Sequence, residues 1–400
     1  VRRNQRERLF AALVATIARR GYEATTVADL VALSGVSRST FYELFEDKQG
    51  CLLAAIDALT GSALERLAGD PEAVIADPDQ ARNSFLALIG QIASQPAAAR
   101  TCLVEAYAAG PEAIAALDRI VDGLALLASA MFERTPGREG VPPEIVRAIV
   151  GGVQKAVYRR LLRGEEEELP GLAPELWEWI VSLPPPPGPL RAPRARSLRP
   201  RRFAERQAAS NPADRVLRAM AAVVCERGYQ ETTVAEIVER ARTSQRTFYE
   251  SFSDREAAMV AALDSGSAQM LAAALPAFRG GGEWPQAVRD MQEAMFRFAA
   301  EEPEYGRLGA VEMYAAGKRA LEQRETVTES MEALLAVGLE LAPDAPAVAP
   351  EAIGGALYSM LYDFVKAEGP ERLPTMVPTA VYVTLAPFLG AEKAYAVAMG

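Results

Sequence analysis

The chain repeats itself, and this constrains its fold more than any other feature. Residues 21–48 read GYEATTVADLVALSGVSRSTFYELFEDK, and residues 228–255 read GYQETTVAEIVERARTSQRTFYESFSDR. About half of the positions are identical, with no gap. The same register continues through Pro96/Pro303, Arg100/Arg307 and the Val-Glu-x-Tyr-Ala-Ala-Gly segments at 104–110 and 311–317. After a slip of a few residues, Gly151-Gly152 matches Gly354-Gly355, and Leu169-Pro170 matches Leu373-Pro374. The 400 residues are therefore one unit written twice, each copy of ordinary domain size.

Between the copies runs SLPPPPGPLRAPRARSLRPRRFAERQAASNP, rich in Pro and Arg and without apolar periodicity, which reads as a linker. Its arginines, Arg191, Arg194, Arg196, Arg199, Arg201, Arg202 and Arg206, read as a solvated run with phosphate binding as the alternative. Elsewhere apolar residues recur at three- and four-residue spacing and strand-like alternation is scarce, so the expected fold is all-α. In the first copy helices are expected at 5–20, 27–34, 38–44, 48–68, 79–95, 97–109, 111–133, 142–163 and 172–182, with the same order in the second. The expected division is 1–50, 51–182, linker 183–212, 213–257 and 258–400.

Composition removes whole classes of function. The chain has no histidine, which excludes Ser-His-Asp and Cys-His catalysis, His-ligated metals and a histidine pH switch. Cys51, Cys102 and Cys225 form no CxxC pair and no disulfide framework, which fits a reducing cytoplasm. No cofactor or metal is expected. The arginines before Leu9–Ala18 imitate a signal peptide, but Arg19-Arg20 follow and no small-residue cleavage site does. The uncharged run 373–391 is broken by Pro374, Pro378 and Pro387 and reads as a buried interface helix, not a membrane span.

Helix punctuation within the repeat is dense. Gly21 and Gly228 follow the first helix. Thr26-x-x-Asp29 and Thr233-x-x-Glu236 can cap the second. Gly35 sits in a short turn, and Ser37 and Ser244 can cap a third, short helix. Phe41/Phe45 and Phe248/Phe252 lie four apart and bury together, turning Arg38, Ser39, Thr40 and Tyr42 to solvent. Two short helices across a tight turn, with polar residues opening the second, make a helix-turn-helix.

The segment TTVADLVALSGVSRSTFYELFEDK resembles the DNA-binding region of TetR-family transcriptional regulators, and each copy has that family's length and helix count. The resemblance implies two TetR-like units, each a three-helix DNA-binding domain followed by a helical ligand-binding and dimerisation domain. It implies a ligand-responsive repressor on a double-stranded operator, with the dimer fused into one chain that acts as a monomer with pseudo-twofold symmetry. Gly151-Gly152 and Gly354-Gly355 would let helices approach across that axis, and Trp177 and Trp179 would pack there. By position, Thr26/Thr233, Thr40/Thr247, Tyr42/Tyr249 and Lys48/Arg255 would meet phosphates or base edges. Ser37, Arg38 and Ser39 in the first copy, and Ser244, Gln245 and Arg246 in the second, would read bases. Arginine suits guanine and glutamine suits adenine, so the two half-sites should differ. Where the family often has histidine before the motif's last Phe, this chain has Leu44 and Ser251.

In the second copy Ala241-Arg242-Thr243 replaces Ser34-Gly35-Val36. Losing a turn glycine costs about 1 kcal/mol if the residue needs positive φ. An alternative reading is therefore a small-molecule sensor or interaction module with a degenerate second DNA-binding unit. The net charge of −10 opposes DNA binding only as an average: residues 1–50 carry about +2 and 191–255 about +6.

For a small-molecule effector the resemblance offers Phe85, Cys102, Glu105, Tyr107, Met131 and Phe132 in the first copy. In the second it offers Met295, Phe298, Glu312, Met313, Tyr314, Tyr358 and Tyr362. Arg100 and Arg307 are possible partners of Glu105 and Glu312.

Overall fold

The computed structural model describes residues 2–68, 77–191, 211–280, 282–316 and 318–400. It divides into two units, Val1–Ile180 and Val181–Gly400. Among the described residues both are helical, with no strand. The linker arginines from Arg194 to Arg206 lie outside the described residues.

In the first unit, α1 (Arg2–Arg20) buries Leu9, Ala12, Leu13, Thr16 and Ile17, the three-and-four spacing of a helix with one inward stripe. Thr26 caps α2 (Val27–Ser34). Its hydroxyl accepts from the Asp29 N–H while the Asp29 carboxylate accepts from the Thr26 N–H at 3.0 Å. Gly35 ends α2 at φ 63°, ψ 21°, and Ser37 caps α3 (Arg38–Leu44). Phe41 and Phe45 lie on one face of that turn, 5.7 Å between ring centroids, with Phe10 against Phe45. There follow α4 (Lys48–Ala68), α5 (Pro78–Ser94), α6 (Pro96–Leu103), α7 (Pro111–Phe132), α8 (Pro143–Arg163) and α9 (Leu169–Ser182).

The helix expected over 97–109 is instead two pieces. α6 stops at Leu103, and Glu105–Ala109 winds as a tighter 3-10 turn. The break turns Glu105 toward α1, as described below.

The second unit contains α10 (Pro212–Arg227), α11 (Val234–Ala241), α12 (Gln245–Ser251), α13 (Arg255–Phe278), α14 (Trp284–Glu301) and α15 (Pro303–Ala310). It continues with α16 (Lys318–Leu335), α17 (Val337–Leu341), α18 (Ala349–Glu368), α19 (Val377–Leu389) and α20 (Ala391–Met399). The expected repeat of helix order holds except for two short additions, α17 and α20. α19 and α20 hold the first residues of the expected linker: Tyr382 of α19 and Tyr395 of α20 donate to the carbonyls of Pro184 and Pro189 at 2.9 and 3.4 Å. α13 is long and apolar enough to cross a membrane, but it packs on α10, α14, α15 and α16 through Ala258, Met259, Ala262 and Gly266.

Packing continues across the expected boundary after residue 50. One cluster of buried residues joins Leu13, Leu30, Phe41 and Leu52 to Cys102, Ala106, Ala113 and Leu117. A matching cluster joins Val216, Ile237, Phe248 and Met259 to Tyr305, Leu308 and Met313. Gly354, expected at a pseudo-dimer face, meets its own unit. A Cβ there would lie 3.1 Å from the Glu332 carboxylate of α16.

Candidate DNA interface and effector cavities

α3 and α12 are framed by the same three devices: a serine cap, a pair of packed phenylalanines and a cation at the start of the next helix. Ser37 and Ser244 accept from the N–H of Thr40 and Thr247, each at 3.1 Å. Their hydroxyls also bond those of Thr40 and Thr247 at 2.9 and 3.0 Å, so both threonines serve the caps. Ser39 lies within 2.9 Å of the Ser37 hydroxyl. Thr26 and Thr233 each form a full capping box.

Tyr42 and Tyr249 are about half exposed (48% and 56%), although each ring stands edge-on to the buried Phe41 or Phe248. An exposed phenol braced by a core ring is a rigid donor. The Arg38 guanidinium lies 5.8 Å from the Tyr42 ring centroid, whereas Arg246 pairs with Glu250 at 2.8 Å. Gln245 is exposed.

Lys48 and Arg255 do something the sequence did not announce. Lys48 Nζ donates to the Tyr22 and Glu23 carbonyls at 2.8 and 3.4 Å and lies 4.1 Å from the Tyr22 ring centroid. Arg255 likewise donates to the Gln230 and Thr232 carbonyls and lies over Tyr229. Burial lowers the Lys48 pKa and raises that of Tyr22 to about 12. These cations tie the loop after the first helix to the start of the fourth.

The turns differ. Arg242 occupies the left-handed region at φ 50°, ψ 51°, the sole non-glycine residue to do so among the described residues. In the first unit the Arg8 guanidinium donates to the Ser34 carbonyl and covers Gly35, where a Cβ would approach it to 2.7 Å. Arg215 repeats the carbonyl bond on Ala241 at 3.3 Å.

Each unit holds an apolar cavity. In the first unit it has about 1110 Å³ of space, partly open to solvent, between α4, α5, α6, α7 and α8. Leu88, Ile92, Ala99, Cys102, Leu124 and Val153 wall it, with Gln91, Gln95 and Gln154. In the second unit about 1300 Å³ is walled by Met270, Met291, Met295, Met313, Met331, Phe298 and Tyr358, with Gln292.

Of the sequence candidates, Cys102, Met295, Phe298, Met313 and Tyr358 line these spaces. The others do not, for identifiable reasons. Phe85 stacks on Trp177 at 5.7 Å, and Tyr107 stands edge-on to Tyr158. Met131 lies near the end of α7, outside the lining, and Phe132 is buried under Arg138. Tyr314 packs between Tyr358 and Tyr362, whose hydroxyl accepts from Lys366. Glu312 is drawn to Arg307 at 3.1 Å; burial raises its pKa and Arg307 opposes the rise.

Glu105 takes the most informative position. Its Oε2 accepts from the Tyr22 N–H at 2.8 Å, joining the 3-10 turn after cavity helix α6 to the loop that follows α1. The partner is a backbone group 83 residues away, so no side-chain pattern could reveal it.

Comparison with known proteins places the short-helix segments in one family. The family model described as bacterial regulatory proteins, tetR family, matches twice, at residues 9–55 and 216–262. The HTH-type transcriptional regulator EthR of Mycolicibacterium smegmatis is 30% identical over 176 residues, covering 41% of this chain and 78% of the relative. Two solved structures each align with 44% of the chain at a TM-score of 0.40. They are the fatty acid degradation regulator FadR from Bacillus halodurans (15% identity, 95% of that chain) and the transcriptional regulator FadR from Bacillus subtilis in complex with stearoyl-CoA (19% identity, 97%).

Proposed function

Because the chain belongs to the tetR family of bacterial regulatory proteins and carries two tandem units of it, we propose that it is a ligand-responsive repressor with both halves of a DNA-binding dimer on one polypeptide. The bond from Glu105 to Tyr22 carries this reading. The wall of an apolar cavity continues, through one 3-10 turn, into a carboxylate that grips the reader's backbone. An effector that displaces α6 shifts that grip, and the reader's position on DNA with it.

Recognition begins with Tyr42 and Tyr249 on phosphates. Thr26 and Thr233, at the starts of α2 and α11, stand beside the same strands. Base reading then falls to Arg38 in one half and to Gln245 and Arg246 in the other, which favours an operator whose halves differ. Lys48 and Arg255 act mainly by holding their loops in place. The effector is largely apolar, matching both cavities. Tethering makes the pairing of readers independent of concentration, so one chain is the working species.

Base-by-base substitution of a footprinted operator tests this. Non-equivalent half-sites, with loss of binding in both Tyr42→Ala and Tyr249→Ala, are expected. A strictly palindromic optimum, or an obligate dimer of chains in sedimentation, overturns the single-chain reading. The strained turn at Arg242 favours a second reading, a sensor whose second reader no longer grips DNA. In that case Tyr249→Ala leaves affinity unchanged.

A further inference from the structure

The second cavity has a buried amide in its wall. Gln292 on α14 belongs to the wall of the second cavity and is 3% exposed. Its Nε2 donates to Thr384 Oγ1 at 2.7 Å. That hydroxyl donates in turn to the Ala380 carbonyl at 2.8 Å, so its proton is committed and it can only accept from the amide. The amide is thereby oriented, and Oε1, which surrounding atoms close off from the open cavity space, is left as an acceptor with no hydrogen-bond partner among the described residues. A buried acceptor left unpaired costs free energy that a donor from outside would recover.

The corresponding position of the first unit carries no amide. The register that pairs Arg100 with Arg307 pairs Phe85 with Gln292. Phe85 has no polar atom and stacks on Trp177. The amides lining the first cavity differ: Gln91 and Gln154 are partly exposed and Gln95 is exposed. Gln292 is thus an addition to the second unit alone. It stands among methionines, whose unbranched side chains yield to an entering ligand.

We propose that the second cavity selects an apolar effector bearing one hydrogen-bond donor, an alcohol O–H or an amide N–H, which is received by Gln292 Oε1. Thr384 is the positioning residue that holds the amide with its oxygen free. The inference rests on the effector role proposed for the cavities, and it assigns the two cavities different ligand preferences.

The test pairs two probes that differ only in the donor, 1-decanol and decyl methyl ether, titrated calorimetrically into the full chain. The wild type should prefer the alcohol by about tenfold, the worth of one buried hydrogen bond. In Gln292→Leu the preference should fall to that of the first cavity, with ether binding retained; Gln292→Met serves if the leucine variant does not fold. Thr384→Val, which frees the amide to turn, should weaken the preference partly. Equal binding of both probes to the wild type, an unchanged preference in the variants, or no binding of either probe overturns the proposal. A gel shift separates this from the regulatory reading. If the preference appears but neither probe alters DNA affinity, the regulatory reading fails and the subsite stands. If both probes release DNA equally, the reverse holds.

Discussion

The Tyr22 N–H and the Glu105 carboxylate meet at 2.8 Å, whereas the equivalent carboxylate of Glu312 is held by Arg307 at 3.1 Å. Corresponding residues in the two units have therefore taken different partners. Glu105→Ala would leave a part-buried N–H unpaired and should cost about 1–3 kcal/mol. Glu312→Ala breaks a pair whose arginine is partly exposed, and should cost under about 1 kcal/mol. Urea unfolding of the two variants checks the order; a larger loss at Glu312 would contradict it.

The turn residues give opposite expectations. Arg242→Gly relieves a left-handed backbone and should stabilise the second unit by up to about 1 kcal/mol. Gly35→Ala introduces that strain and also displaces Arg8, so it should cost more than about 1 kcal/mol. Thermal unfolding of both variants reads the signs directly.

The capping boxes predict an acid dependence. Hydrogen bonds from Thr26 and Thr233 hold the Asp29 and Glu236 carboxyls below their ordinary values of 3.8 and 4.5. A lowered folded-state pKa stabilises above the ordinary value and is lost as pH falls through the folded one. Stability should therefore decline from about pH 4.5 downward, and less steeply in the double variant Asp29→Ala/Glu236→Ala. At neutral pH, Thr26→Ala and Thr233→Ala should each cost about 1 kcal/mol. Urea midpoints measured from pH 3 to pH 7 supply both comparisons.

Burial raises the thiol pKa of both Cys51 and Cys102 to about 12. Iodoacetamide at pH 8 should label neither in the folded protein and both after unfolding in urea. Rapid labelling of native Cys102 would show that the first cavity opens far more readily than its walls suggest.

Local order was legible in the sequence because caps and turns act through neighbours. Thr26, Ser37 and Phe41 signal α2 and α3 by spacing alone, and both helices begin and end where expected. The cavities were legible only in part. Ala99, Leu124 and Val153 are ordinary core residue types, and only packing decides which of them faces a space. Glu105 stands out in the sequence but its partner does not, because that partner is a main-chain group, and Gln292 is missed because a lone amide on an apolar helix has no pattern. The position of Lys48 suggests a DNA contact and says nothing of the carbonyls it holds, which belong to a loop over twenty residues earlier.

The buried cluster running from Leu13 and Phe41 to Cys102 and Ala113 has a practical corollary. The reader cannot be exchanged like a cartridge at residue 50, because such a cut passes through the interior of a packed body. A chimera built on the proposed operator contacts would transplant surface positions such as Arg38, Ser39 and Tyr42, and leave the inward faces of α1 and α4 to the recipient.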